Sequence, residues 1–180
     1  MKTFVKNAIS GLCIAALFLF VLSVSARAQV EGNTGVVAGY GGMVHVGDGG
    51  GTHALFGGLG GYNLAPAATV FGEYSYVPVT GGHAQLYGGG VHFNFLPATK
   101  IVPYVVGAFG GAQYGGGGFS ANGWYAGFGG GVKCFLSPHV GVAPEYRYVR
   151  LEESGAGANS SAFTGAIFYQ WGGTGTAKKK

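Results

Sequence analysis

Side chains able to do chemistry are few in this chain of 180 residues: 10 Lys or Arg, 6 Asp or Glu, 5 His and 2 Cys, against 39 Gly, 13 Phe and 11 Tyr. The central candidates are Glu73, His92, Lys133, Glu145 and Arg147. Two carboxylates, two cations and an imidazole can neutralise one another in a buried site, or can guard a narrow ion path. The five histidines, His45, His53, His83, His92 and His139, show no metal-ligand spacing, so neither a metal nor a cofactor is expected. Strings such as Gly57-Gly58-Leu59-Gly60-Gly61 superficially suggest a phosphate loop, but no helix follows to aim its amides at an anion. The formal charge of +4 belongs to the ends of the chain. Lys2, Lys6 and Arg27 open it and Lys178 to Lys180 close it; between them four basic residues face six acids. The body therefore has no basic patch for nucleic acid.

The elements that must hold those residues follow from composition and period. Glycine costs roughly 1 kcal/mol per helix position relative to alanine, so 39 of them argue against a helical protein. A hydrophobic content of 48% argues against disorder. Residues 1–28 read as a secretory signal peptide: Lys2 and Lys6, the 14-residue apolar run Gly11 to Val24, then the small-residue end Ala26-Arg27-Ala28, with cleavage before Gln29. Such a run is short of the roughly 20 residues a membrane helix needs. Cys13 leaves with the signal, and Cys134, alone in the mature chain, cannot form an intramolecular disulfide.

The mature chain alternates with period two. Val140, Val142, Tyr146 and Tyr148 oppose Gly141, Ala143, Glu145 and Arg147; Val70, Tyr74 and Tyr76 oppose Phe71, Glu73 and Ser75. Tyr87, Val91, Phe93 and Phe95 oppose Gly88, Gly90, His92 and Asn94, and Trp124, Phe128, Val132 and Cys134 oppose Tyr125, Gly127 and Lys133. Eight such segments are predicted: 34–45, 53–64, 68–78, 84–96, 100–114, 122–136, 139–152 and 160–171. Short proline turns after the even segments alternate with glycine-rich loops after the odd ones, at Gly47 to Thr52, Thr80 to Gly82, Gly115 to Gly123 and Glu153 to Ser161. That alternation predicts an all-β fold over 29–172, an eight-stranded antiparallel up-and-down transmembrane barrel with a Gly/Lys tail at 173–180. Closure removes the unpaired strand edges that lipid could not satisfy. Tyr76, Tyr114, Trp124 and Tyr148 are expected in an aromatic girdle at the loop rim, and Tyr62, Phe95, Phe135, Tyr169 and Trp171 in one at the turn rim.

The segment GFGGGVKCFLSPHVGVAPEYRY, Gly127 to Tyr148, resembles the outer-membrane β-barrel domain family of small bacterial proteins related to the eight-stranded outer-membrane proteins A and X. That resemblance implies an interior ion-pair network, carried here by Glu73, His92, Lys133, Glu145 and Arg147. It also implies insertion by the barrel assembly machinery. The chain departs from the pattern at its end, where Tyr169 and Trp171 are followed by GGTGTAKKK instead of a terminal aromatic residue. Some barrels of this size modify lipid A with a His-x-Ser pair; here Asn94 stands two after His92, and Ser137-Pro138-His139 reverses the order in a turn, so no catalytic residue is expected.

The expected protein is a non-enzymatic, monomeric outer-membrane component with both mature termini in the periplasm. Its partners are outer-membrane lipids and the assembly machinery, together with any surface ligand met by the loops. Adhesion through those loops, a narrow passive channel and a soluble secreted ligand-binding barrel are the alternatives.

Overall fold

A computed structural model describes residues 30–47, 49–116, 118–153 and 156–172. The predicted signal peptide, its cleavage point at Ala26, Ala28 and Gln29, and the 173–180 tail lie outside the described residues. Eight strands follow in order: β1 (Thr34–Val46), β2 (Gly51–Ala65), β3 (Ala68–Val79), β4 (Gly82–Asn94), β5 (Ile101–Gly116), β6 (Phe119–Phe135), β7 (Val140–Glu153) and β8 (Ala156–Gly172). Each pairs antiparallel with the next, and β8 returns to β1 to close the barrel. In that closing pair Thr34 faces Gly172 and Val46 faces Ser160, so the first and last strands begin and end on one rim.

The rims differ from the sequence expectation. Strands run on through the glycine-rich segments where the sequence predicts loops, leaving connections of only 47–50, 80–81, 117–118 and 154–155. Those on the opposite rim are 66–67, 95–100 and 136–139. Glycine alone signals a loop, but cross-strand pairing in a closed sheet holds it in register; Gly115 pairs with Ser120 and Gly157 with Glu152. Where the chain does reverse tightly, Gly81 and Gly118 supply the positive φ, 82° and 83°, that a two-residue hairpin turn requires.

Alternation sorts the side chains into a lumen and an outer face. In β3, Thr69, Phe71, Glu73, Ser75 and Val77 are buried while Val70, Gly72, Tyr74, Tyr76 and Pro78 are exposed. The lumen packs in three layers: one around Val36, Val102, Phe135 and Phe168, a second around Phe71, Tyr104, Tyr125 and Val149, and a third around Val44, Leu55, Val77 and Ala162. Val30, just ahead of β1, belongs to the first layer and donates its backbone N–H to Pro97 O at 3.1 Å, so the entering chain covers that end of the barrel.

The outer face carries Phe56, Phe109, Phe128, Phe163 and Ile167, each more than half exposed. Tyr62, Phe95, Tyr169 and Trp171 stand on it at the turn rim as expected, with Tyr169 and Trp171 stacked at 6.2 Å, and Tyr76 and Trp124 at the other rim. Two girdle expectations are corrected. Phe135 is buried edge-on against Phe168, and Tyr114 lines the lumen. Both share parity with inward neighbours, Lys133 and Ala112, and face outranks nearness to a strand end.

Candidate functional site

The charged side chains meet at mid-height because Glu73, Arg147 and Glu145 occupy inward positions near the middle of their strands. Arg147 Nη1 donates to Glu73 Oε1 at 2.7 Å, while Nη2 and Nε reach Glu145 Oε1 at 2.8 and 3.0 Å. One guanidinium thus spans two carboxylates from different sides of the barrel, the geometry its planar fork favours. Two phenols complete the shell. Tyr125 donates to Glu73 Oε1 and Tyr104 to Glu145 Oε2, each at 2.9 Å. Tyr40 shares a 2.7 Å hydrogen bond with Ser75 beside them.

Lys133 and His92 stand differently. The registers flanking Lys133, Gly131 with Glu145 and Cys134 with Val142, set it opposite Ala143, a step nearer the turn rim than Glu145. Its ammonium donates to Asn94 Oδ1 at 2.9 Å and lies 5.3 Å from the Tyr104 ring centroid. Sequence reasoning expected Lys133 to pair with the acids; among the described residues it makes no ion pair, because Arg147 and Tyr104 already occupy Glu145. From Asn94 the polar chain continues through Thr69 and Asn63 to Thr34, at 3.3, 2.6 and 2.7 Å. His92 is clasped between Phe71 and Tyr104, with centroids at 4.5 and 4.7 Å. Its Nε2 lies 3.9 Å from Glu145 Oε2, too far for a hydrogen bond, and has no hydrogen-bond partner among the described residues. A cavity of about 70 Å³ adjoins these groups.

Two cations and two carboxylates make this layer neutral overall, which is how a barrel interior can hold charge at all. Sequence reasoning missed Tyr40, Tyr104 and the Asn63–Thr69–Asn94 chain. For the two tyrosines the signal was inward parity opposite glycine, Tyr40 facing Gly57 and Tyr104 facing Gly131. A Cβ at Gly131 would stand 2.6 Å from the Tyr104 hydroxyl, and one at Gly88 2.6 Å from that of Tyr125. Glycine there is the space the phenols occupy. Gly88→Ala is accordingly expected to cost about 1–3 kcal/mol of stability by overpacking, read as a lower denaturant midpoint. Gly39→Ala, whose Cβ would meet nothing within 4 Å, should leave the midpoint unchanged.

The serine and histidine of the 136–139 turn form no nucleophile–base pair. Ser137 Oγ accepts the backbone N–H groups of His139 and Val140 at 3.3 and 3.0 Å, and the His139 ring packs on Tyr169. The rim histidines also stand apart: His45 bonds Thr52, His53 bonds Gly50 O, and His83 stacks on Tyr76.

No protein-family model and no curated protein matches the sequence. Solved structures do match. Neisserial surface protein A is 16% identical, with 77% of this chain and 97% of that chain covered and a TM-score of 0.62. The N-terminal β-barrel domain of Pseudomonas aeruginosa OprF is 15% identical over 77% of this chain and 98% of that one, at 0.56. Ail, the attachment invasion locus protein of Yersinia pestis, crystallised with the heparin analogue sucrose octasulfate, is 16% identical over 78% of this chain and 99% of that one, at 0.53. At such identities the likeness is one of fold, and the fold of this chain is that of the small eight-stranded outer-membrane barrels.

Proposed function

We propose that the chain is a non-enzymatic integral protein of a bacterial outer membrane, an envelope component whose lumen is plugged by its own side chains. The observation that carries this reading is the outer face. Large apolar side chains surround the barrel, and on β7 the outward residues from Val140 to Tyr148 include no charge before Arg150, which is exposed and paired with Glu152 at 3.0 Å. Those nine residues match the roughly 9–11 that a tilted strand needs to cross a bilayer. In water such a belt would promote aggregation; in lipid it is the solvent-matched surface. Under this reading both ends of the mature barrel face the periplasm, lipids contact the belt, and the assembly machinery inserts a monomer.

Connections of two to four residues on the rim away from the chain ends leave little surface for adhesion, in contrast to the attachment role named for the Yersinia protein. The channel reading rests on the small cavity at the plug and depends on Arg147.

Fractionation tests the membrane assignment. The protein should appear in the outer-membrane fraction as a band whose gel mobility shifts on boiling, as a closed barrel resists detergent until heated. A soluble band without a heat shift would overturn it.

A further inference from the structure

Above the plug, towards the rim away from the chain ends, the lumen opens into a cup of about 580 Å³. Its walls are the third core layer, Val44, Leu55, Val77, Ala84 and Ala162, with Leu151 above. Leu55, Leu86, Val149 and Ala162 line both this cup and the cavity at the plug, so the charged layer is its floor. His53, Thr80 and Gly157 stand at the mouth. The described lining includes no Asp, Glu, Lys or Arg. The short connections leave the mouth uncovered by any long loop.

One polar atom inside has no partner among the described residues. Ser160 lines the cup at 2% exposure, and its hydroxyl meets no hydrogen-bond partner among the described residues. An unpaired buried hydroxyl costs free energy that a ligand atom can recover. A concave, mostly apolar site of this size with one placed polar group is the usual form of a small-molecule site.

We propose that the cup binds a neutral, largely aliphatic small molecule carrying one hydroxyl or carbonyl, whose oxygen meets Ser160 Oγ. Neutrality follows from the described walls above that floor, which offer a carboxylate or ammonium no counter-charge. Aliphatic character follows from the Val, Leu and Ala walls. The single hydrogen bond fixes the polar end towards β8. This holds whether the barrel sits in lipid or in water, so its failure and that of the membrane assignment are read from separate experiments.

The test is photolabelling of the full barrel in lipid nanodiscs with a ten-carbon aliphatic alcohol bearing a diazirine, followed by peptide mapping. Label is expected on the inward residues Val77, Ala84 and Ala162, competed by 1-decanol at least tenfold better than by decanoate. Ala84→Trp, which fills the cup, should abolish that label. Ser160→Ala should weaken competition by 1-decanol about three- to tenfold, the worth of one hydrogen bond, while leaving competition by decane unchanged. Label confined to outward residues such as Phe128 and Ile167 would mean partition into lipid only and would overturn the proposal. Equal competition by decanoate would overturn its neutrality. If Ala84→Trp fails to fold, as judged by loss of the heat shift, Leu151→Trp nearer the mouth replaces it with the same expected loss of label.

Discussion

Replacing Arg147 with alanine is expected to lower the unfolding free energy of the barrel by about 3–5 kcal/mol, because it leaves two buried carboxylates facing each other without their shared cation. Glu73 is 3% exposed at its side chain and Glu145 12%, so water screens neither well. The phenols of Tyr125 and Tyr104 still donate to these acids, but neutral donors do not cancel charge. Lys133 is the remaining cation of the layer, and its hydrogen bond goes to Asn94. Arg147→Lys should recover part of the loss. A point charge can approach one acid, whereas the guanidinium contacts Glu73 and Glu145 together. Urea unfolding in lipid vesicles gives the first quantity. Planar-bilayer conductance gives the second: if the network gates a path through the small cavity, Arg147→Ala opens it and discrete current steps appear. Traces indistinguishable from the native protein, together with the expected stability loss, would leave the network a plug and remove the channel reading.

The residues of this network show how far a sequence can be read in a barrel. Parity alone assigned Glu73, His92, Lys133, Glu145 and Arg147 to the lumen, because a side chain on a strand has only two sides and the aromatic neighbours claimed the other. Partner choice was not legible. Which acid Arg147 reaches depends on shear, the stagger between strands around a closed sheet, and shear is a global property that no local pattern encodes. The same limit explains Lys133, which lies one inward step from Glu145 on the neighbouring strand yet binds Asn94 on β4. The glycine-rich ends of β2, β6 and β8 failed for another reason. Glycine is permissive in a loop and in a ladder alike, and pairing with an already closed neighbour decides between them. The cup has no local signature, because its inward Val, Leu and Ala come from β1, β2, β3, β4, β7 and β8 together.

The outer face supports the sharper test of where this barrel lives. Phe128→Arg is expected to destabilise the protein in a bilayer by about 2–4 kcal/mol, the cost of a cation on the lipid face near the midplane. Phe128 lies mid-strand on β6, is 66% exposed, and contacts Tyr148 with ring centroids 5.4 Å apart. Its side chain touches nothing in the lumen, so the substitution leaves the plug and the cup intact. Were the barrel a soluble secreted protein, the same arginine would point into water and cost no more than a typical surface change, within about 0.5 kcal/mol. Ser120→Arg, on the exposed end of the same strand, is the matched control: close to solvent under either reading, it should be nearly neutral in both. A large loss at 128 with none at 120, measured in vesicles, assigns the belt to lipid. Equal small effects at both positions would instead place that apolar surface in water and require a partner to cover it, since closure of the sheet satisfies the backbone but does nothing for the aromatic side chains outside it.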